Sequence, residues 1–227
     1  MKLPVLLLLI PLAFAVLHTV TGKYPFSALV TLSCALCVGF AAWRAEFAGL
    51  TLAAYAFSVA GDYFMAHSGG KNGDRMLLFG IGGFFLAHLC FLIYGVLRSV
   101  LLSPANSLPG AFLPFCALLS CSLILGYAAF LGKVLYPAIG DRTLKVAVTA
   151  YTGISLATMT VSLLSVAAPL PKTMFCVGIA MILFSDTLIA LSRFLGQKRW
   201  NPLVCPTYFA CHILIAASLM AEQGVFG

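Results

Sequence analysis

Four ionisable side chains interrupt long apolar runs in this chain: Asp62, His88, Asp186 and His212. An ionisable group surrounded by hydrocarbon is costly, so it marks a functional site by default. Two carboxyls and two imidazoles can pass protons to and from a substrate, stabilise a cation, or ligate a metal. Each of the four lies on a different apolar run, a spacing that carries no metal motif. No metal or other cofactor is therefore expected. Glu46, Asp74, Asp141 and Glu222 fall in loops or at an end, where solvation accounts for them.

The four groups share a depth. Asp186 precedes the positive face at Arg193 by seven residues, about 10 Å of helix. Asp62 lies about 8–9 Å before the turn at His67-Ser68, and His212 about 9 Å after Pro206. Tyr151 follows Leu144 by about 10 Å. His88 is expected slightly deeper. Helical phase adds to the polar layer. Tyr151, Ser155, Thr158 and Ser162 follow one face of a helix, as do Tyr208 and His212. Asp186 and Arg193 are nearly eclipsed. Ser and Thr on such a face also join membrane helices by hydrogen bonding, without chemical work. Gly80, Gly82 and Gly83 are expected to allow close helix contact.

The elements that position these residues are membrane spans. Of 227 residues, 62% are hydrophobic and 8% charged, whereas soluble domains carry roughly a quarter charged residues. The apolar runs are too long and too uniform for β-barrel strands, and in lipid the backbone satisfies itself within helices. The expected fold is all-α, a polytopic membrane bundle of about eight transmembrane helices. Their spans are Leu3–Val20, Pro25–Ala42, Phe47–Met65, Met76–Leu97, Pro109–Leu131, Leu144–Ala167, Thr173–Leu195 and Val204–Ala221. The connections are short, so residues 1–227 read as one integral membrane domain.

The net charge of +7 reads as orientation, since Lys and Arg accumulate in cytoplasmic loops. Lys23, Lys71, Arg75, Lys133, Arg142, Lys145, Arg193, Lys198 and Arg199 fall on one side. Lys2, Arg44, Arg98 and Lys172 fall on the other. This bias places both termini, Gly227 included, outside the cytoplasm of a multi-pass protein in a bacterial inner membrane, and gives no reason to expect nucleic acid. Lys2, the leucine-rich run and Ala13-Phe14-Ala15 resemble a signal peptide, but the run extends to Val20, which favours an uncleaved span. The eight cysteines lie in or beside spans, and Cys34-x-x-Cys37 has no partner pair, so packing is their expected role.

Four ordered segments resemble the lysoplasmalogenase family of YhhN-like membrane proteins. They are Gly61-Asp62, the run Phe79-Gly80-Ile81-Gly82-Gly83-Phe84-Phe85-Leu86-Ala87-His88, the segment from Leu183-Phe184-Ser185-Asp186 to Leu191-Ser192-Arg193-Phe194, and Tyr208-Phe209-Ala210-Cys211-His212. Tyr151 fits a tyrosine typical of the family. The chain departs from the family pattern at Lys23 and Pro25, which Tyr24 separates, and at His212, where glutamine is common. The resemblance implies eight helices and hydrolysis of the vinyl-ether bond of lysoplasmalogens to a fatty aldehyde and a glycerophospho-alcohol. The partners it implies are a lysophospholipid substrate and the bilayer; no protein partner is implied. Asp62 and Asp186 become the expected catalytic pair, with His88, Tyr151, Ser185, Arg193, Tyr208 and His212 binding substrate or orienting groups.

Those residue types suit that reaction. Vinyl-ether hydrolysis begins with protonation of the carbon β to oxygen, which creates an oxocarbenium ion that water attacks. One carboxyl must be neutral to donate the proton, and one ionised to stabilise the cation and accept a proton from water. Asp186, farther from its span ends, is expected to be the acid and Asp62 the base. Alternative readings are a small proton-coupled transporter, for which buried Asp and His also serve, and a non-catalytic sensor or assembly protein. No repeat relates the two halves, as many carriers would show.

Overall fold

The computed structural model describes residues 6–69, 72–101, 112–165 and 170–225. Lys2, Lys71, Gly227 and the expected span ends Leu3, Pro109 and Ala167 lie outside the described residues. The described chain is a polytopic helical bundle without strands. Its helices are α1 (Leu9–Thr21), α2 (Tyr24–Ala41), α3 (Ala48–Ala66), α4 (Gly73–Leu101), α5 (Phe112–Phe130), α6 (Arg142–Leu164), α7 (Leu170–Leu195) and α8 (Asn201–Glu222). Six segments are long and apolar enough to cross a membrane: Tyr24–Ala41, Gly73–Ser99, Phe112–Ala138, Arg142–Leu164, Pro171–Leu195 and Lys198–Glu222. α1 is a shorter apolar helix. α3 is long enough but is diluted by Thr51, Tyr55, Ser58, Asp62 and Tyr63, so its apolarity falls short. The protein is a multi-pass integral membrane protein.

Local chemistry sets the helix ends. α1 stops at Gly22, whose φ of 65° suits a residue without Cβ. Pro25 sits in the first turn of α2, where its missing N–H costs nothing. The Asp141 carboxylate caps α6 by accepting the Leu144 N–H at 2.7 Å. Large apolar side chains such as Val20, Leu36, Phe40, Leu118 and Leu125 point outward, where lipid rather than water is their natural neighbour.

Two expected loop assignments are corrected. α5 continues past Phe130 through a π-helical turn, Leu131–Leu135, and a final turn, Tyr136–Ala138, so Lys133 belongs to this extension and not to a loop. Arg98 is not a loop charge and Glu222 is not a solvated end group. Arg98 is buried in the last turn of α4 and forms an ion pair with Glu222 at the end of α8. Tyr94 lies 3.4 Å from both Glu222 oxygens as a donor. The two charges meet each other across the ends of α4 and α8.

The most extensive pairings are α7 with α8 and α3 with α4, followed by α4 with α6. α3 and α4 approach closely through glycine. A Cβ on Gly83 would meet the Gly61 Cα and N at 3.0 Å, and one on Gly80 would meet Met65 at 2.8 Å. Gly82 faces open space, so only two of the three glycines make the expected contact. α7 meets α8 through Gly178, whose added Cβ would strike Ile215 at 2.8 Å. These close pairs set the relative positions of the helices carrying Asp62, His88, Asp186 and Tyr208.

Candidate active site

Asp186 projects from α7 towards α6 and α4. The Tyr151 hydroxyl of α6 donates a hydrogen bond to its Oδ2. The His88 Nε2 of α4 is 3.9 Å from the same oxygen, and the His88 and Tyr151 rings meet edge-on with centroids 5.4 Å apart. Three helices therefore converge on one carboxyl oxygen, and among the described residues Oδ1 has no hydrogen-bond partner. His88 is 2% exposed, and both of its ring nitrogens lack a hydrogen bond. An imidazole so placed is aimed at Asp186.

Asp62 lies on α3 with a different set of neighbours. Its Oδ2 accepts from the Thr31 hydroxyl of α2 at 3.4 Å, a long contact. The Tyr208 phenol of α8 is next to both, without the geometry of a full hydrogen bond to either. The two carboxyls are close enough to interact electrostatically.

Each carboxyl lines its own cleft. The Asp186 cleft runs between α4, α5, α6 and α7. Its walls are mostly apolar, with Leu77, Ile81, Phe130, Leu131, Leu135 and Phe194 among them, and its polar groups include Tyr151, Ser155, Asp186 and Arg193. The Asp62 cleft is bounded by the α1–α2 turn, α3 and α8, and carries His18, Tyr24, Ser27, Cys205 and Tyr208. Met65, Phe84 and Ile189 line both clefts and form the wall between them.

The other expected residues divide by contact. Arg193 lines the Asp186 cleft and donates from Nη2 to the Ser68 carbonyl at 2.9 Å, so it bridges α7 to the end of α3. With Asn72, Asp74 and Arg75 it also borders a polar pocket at the start of α4. Ser185 donates to the Val204 carbonyl at 3.1 Å and ties α7 to α8. His212 packs between Tyr208, at a 4.5 Å centroid distance, and Tyr55, at 5.4 Å; neither ring nitrogen has a partner among the described residues. It hydrogen-bonds neither carboxyl. In the hydroxyl stripe of α6, Ser155, Thr158 and Ser162 each donate to the carbonyl four residues back. Only Thr158 also reaches across helices, to the His88 carbonyl at 3.3 Å. That pattern is helix joining and not a proton wire.

Sequence reading missed Thr31, Phe84, and the Tyr127 hydroxyl bonded to Thr187 at 2.6 Å beside the Asp186 cleft. Among the described residues no three His, Cys, Asp or Glu side chains cluster as a metal-ligand set.

A model of the YhhN family matches residues 4–219, nearly the whole chain. The chain belongs to the YhhN family. Family members with curated names include a lysoplasmalogenase of Mycobacterium bovis (strain ATCC BAA-935 / AF2122/97), 30% identical over 149 residues. A lysoplasmalogenase of Mycobacterium tuberculosis (strain CDC 1551 / Oshkosh) matches with the same identity over the same length. Each match covers 65% of this chain and 52% of the relative, so the chain spans about half the length of the curated relatives it matches. No solved structure matches the chain.

Proposed function

We propose that this YhhN-family protein hydrolyses the vinyl-ether bond of lysoplasmalogens, releasing a fatty aldehyde and a glycerophospho-alcohol. The observation that carries the reading is a half-buried carboxyl, Asp186, opening on a mostly apolar cleft that Arg193 also lines. An apolar cleft suits an alkenyl chain, and the Arg193 guanidinium suits a lysolipid phosphate. Seven residues of helix, about 10 Å, separate the two, which accommodates the glycerol and its ether oxygen. Arg75, beside Arg193 on the polar pocket, offers a second cation to the phosphate. The lysoplasmalogenase relatives support the same substrate class.

In this reading Asp186 begins protonated. Tyr151 holds Oδ2 and leaves Oδ1 to deliver the proton to the chain carbon β to the ether oxygen. The adjacent carbon and the oxygen then share the positive charge. Water adds to that carbon and loses a proton to ionised Asp62, giving a hemiacetal. On collapse Asp62 returns its proton to the departing ether oxygen, and the hemiacetal hydroxyl proton goes to Asp186. Both carboxyls end as they began. Two carboxyls divide comparable work around an oxocarbenium ion in glycosidases.

A cytoplasmic-facing site is supported by the basic residues beside it, Arg75 and Arg193, since Lys and Arg accumulate on that side of a membrane. The inferred setting is a bacterial inner membrane with both termini on the opposite side. The test is aldehyde release by purified protein from a lysoplasmalogen, with and without EDTA. Aldehyde formed equally in both supports carboxyl chemistry. No aldehyde sinks the activity, and loss with EDTA that a divalent ion restores sinks the metal-free mechanism.

A further inference from the structure

We propose that the cleft between the α1–α2 turn, α3 and α8 is a separate water entrance feeding Asp62, while the Asp186 cleft is kept for the alkenyl chain. The inference deepens the proposed hydrolysis and rests on it for the identity of the chain. Its structural basis is the contrast between two openings that share a wall.

The first support is room and lining. The Asp62 cleft has a cavity volume of about 240 Å³, against about 80 Å³ for the Asp186 cleft. One water needs roughly 10–15 Å³ of such space, so the Asp62 cleft has room for several waters. Its lining includes an imidazole, two phenols, a hydroxyl, a thiol and a carboxyl: His18, Tyr24, Tyr208, Ser27, Cys205 and Asp62. Met65, Ala66, Phe84, Ile189 and Val204 are also in the lining, and its polar groups offer water hydrogen bonds. The cleft also reaches Gly22 in the α1–α2 turn, at the polar end of the bundle.

The second support is an unpaired group. The Tyr208 hydroxyl is buried, with the residue 8% exposed, and has no full hydrogen-bond partner although it lines the cleft. Buried polar groups are seldom left unmet, and ordered water is the usual remedy beside a polar cavity. A water on Tyr208 sits next to Asp62, where the proposed reaction needs it.

The third support is the wall. Phe84 stands between the clefts and packs edge-on to Tyr208 at a 6.1 Å centroid distance. Its ring occupies the place a side chain at position 61 would take, since a Cβ on Gly61 would meet Phe84 at 2.9 Å. Glycine beside Asp62 thus lets an aromatic ring narrow the passage between the two carboxyls. Chemistry gives the partition a purpose. Protonating carbon is favoured in a dry cleft, and water is wanted afterwards, at the carboxyl that receives its proton.

Cys205 is a native reporter in this entrance. The probe is the membrane-impermeant cation MTSET, applied to the protein in lipid nanodiscs. Attachment is read by intact mass and peptide mapping, and turnover is measured on the same sample. Ser27→Cys, on the facing wall, gives a second reporter in a Cys205→Ser background. Modification at either position, with a loss of turnover of tenfold or more, is the expected result. No modification at either position overturns the entrance, whatever the activity. Modification with full turnover overturns its role as the water path. Because attachment is scored by mass, an inactive protein that still labels would count against the hydrolase reading and not against the opening.

Discussion

Asp186 and Asp62 line two clefts that share one wall, yet their surroundings differ in kind. Asp186 is gripped: Tyr151 bonds one oxygen, His88 stands 3.9 Å from it, and the cleft it faces is narrow and apolar. Asp62 is loosely held, by Thr31 at 3.4 Å, and faces a cleft that also carries His18, Tyr24, Ser27 and Tyr208. A proton donor to carbon benefits from fixed aim and a dry substrate, whereas a group that receives a proton from water benefits from access. The difference teaches that a carboxyl pair need not be symmetric to act together. It also gives each cleft a job that can be removed separately.

The largest expected effect comes from the carboxyls themselves. Asp186→Asn and Asp62→Asn should each lower kcat by about 10²–10⁴-fold in well-folded protein, the usual range for losing a general acid or base. Near-normal turnover of either variant would remove that residue from the pair and break the comparison. The supporting hydroxyls should then rank in the order of their contacts. Tyr151→Phe removes a hydrogen bond to a neutral carboxyl, worth roughly 0.5–1.5 kcal/mol, so kcat should fall about 3–10-fold. Thr31→Val removes only a long contact and should cost about threefold or less, below the range for a good hydrogen bond. Equal losses, measured by initial rates on purified variants, would show that the two carboxyls are held alike.

These hydroxyls also show what a linear sequence can reveal. Asp62, Asp186, His88 and His212 stand out because each is polar inside an apolar run. Tyr151 and Tyr208 follow from helical spacing, and span positions follow from run length. Thr31 was invisible because a lone threonine on α2 signals nothing until α3 packs against it. Phe84 read as one more apolar residue, and its place in the wall depends on the missing Cβ of Gly61 across the α3–α4 contact. Arg98 and Glu222 were misread for the same reason: they are 124 positions apart, and only the packing of α4 against α8 pairs them. Residues that act within one helix are legible, whereas residues that act between helices await the arrangement.

The smallest effect on chemistry is expected at that ion pair, which lies beyond both clefts. Arg98→Met should leave half-buried Glu222 without its ion-pair partner but with the Tyr94 donor, and destabilise the protein by about 1–3 kcal/mol, seen as a lower Tm in detergent. Turnover per folded molecule should stay within about twofold, a change of under 0.5 kcal/mol in barrier. A large loss of kcat at unchanged Tm would place this end of the bundle in the reaction and undo the division between a working and a supporting region.

The most direct test of the account is the fate of the proton that Asp186 is proposed to deliver. Hydrolysis of a lysoplasmalogen in D₂O, with the aldehyde reduced to the alcohol as it forms, should place one deuterium on the carbon next to the former carbonyl. That carbon should have a single configuration, because a fixed carboxyl reaches one face of the double bond. A racemic deuterated product, or a product without deuterium at that carbon, would contradict proton delivery from a held carboxyl.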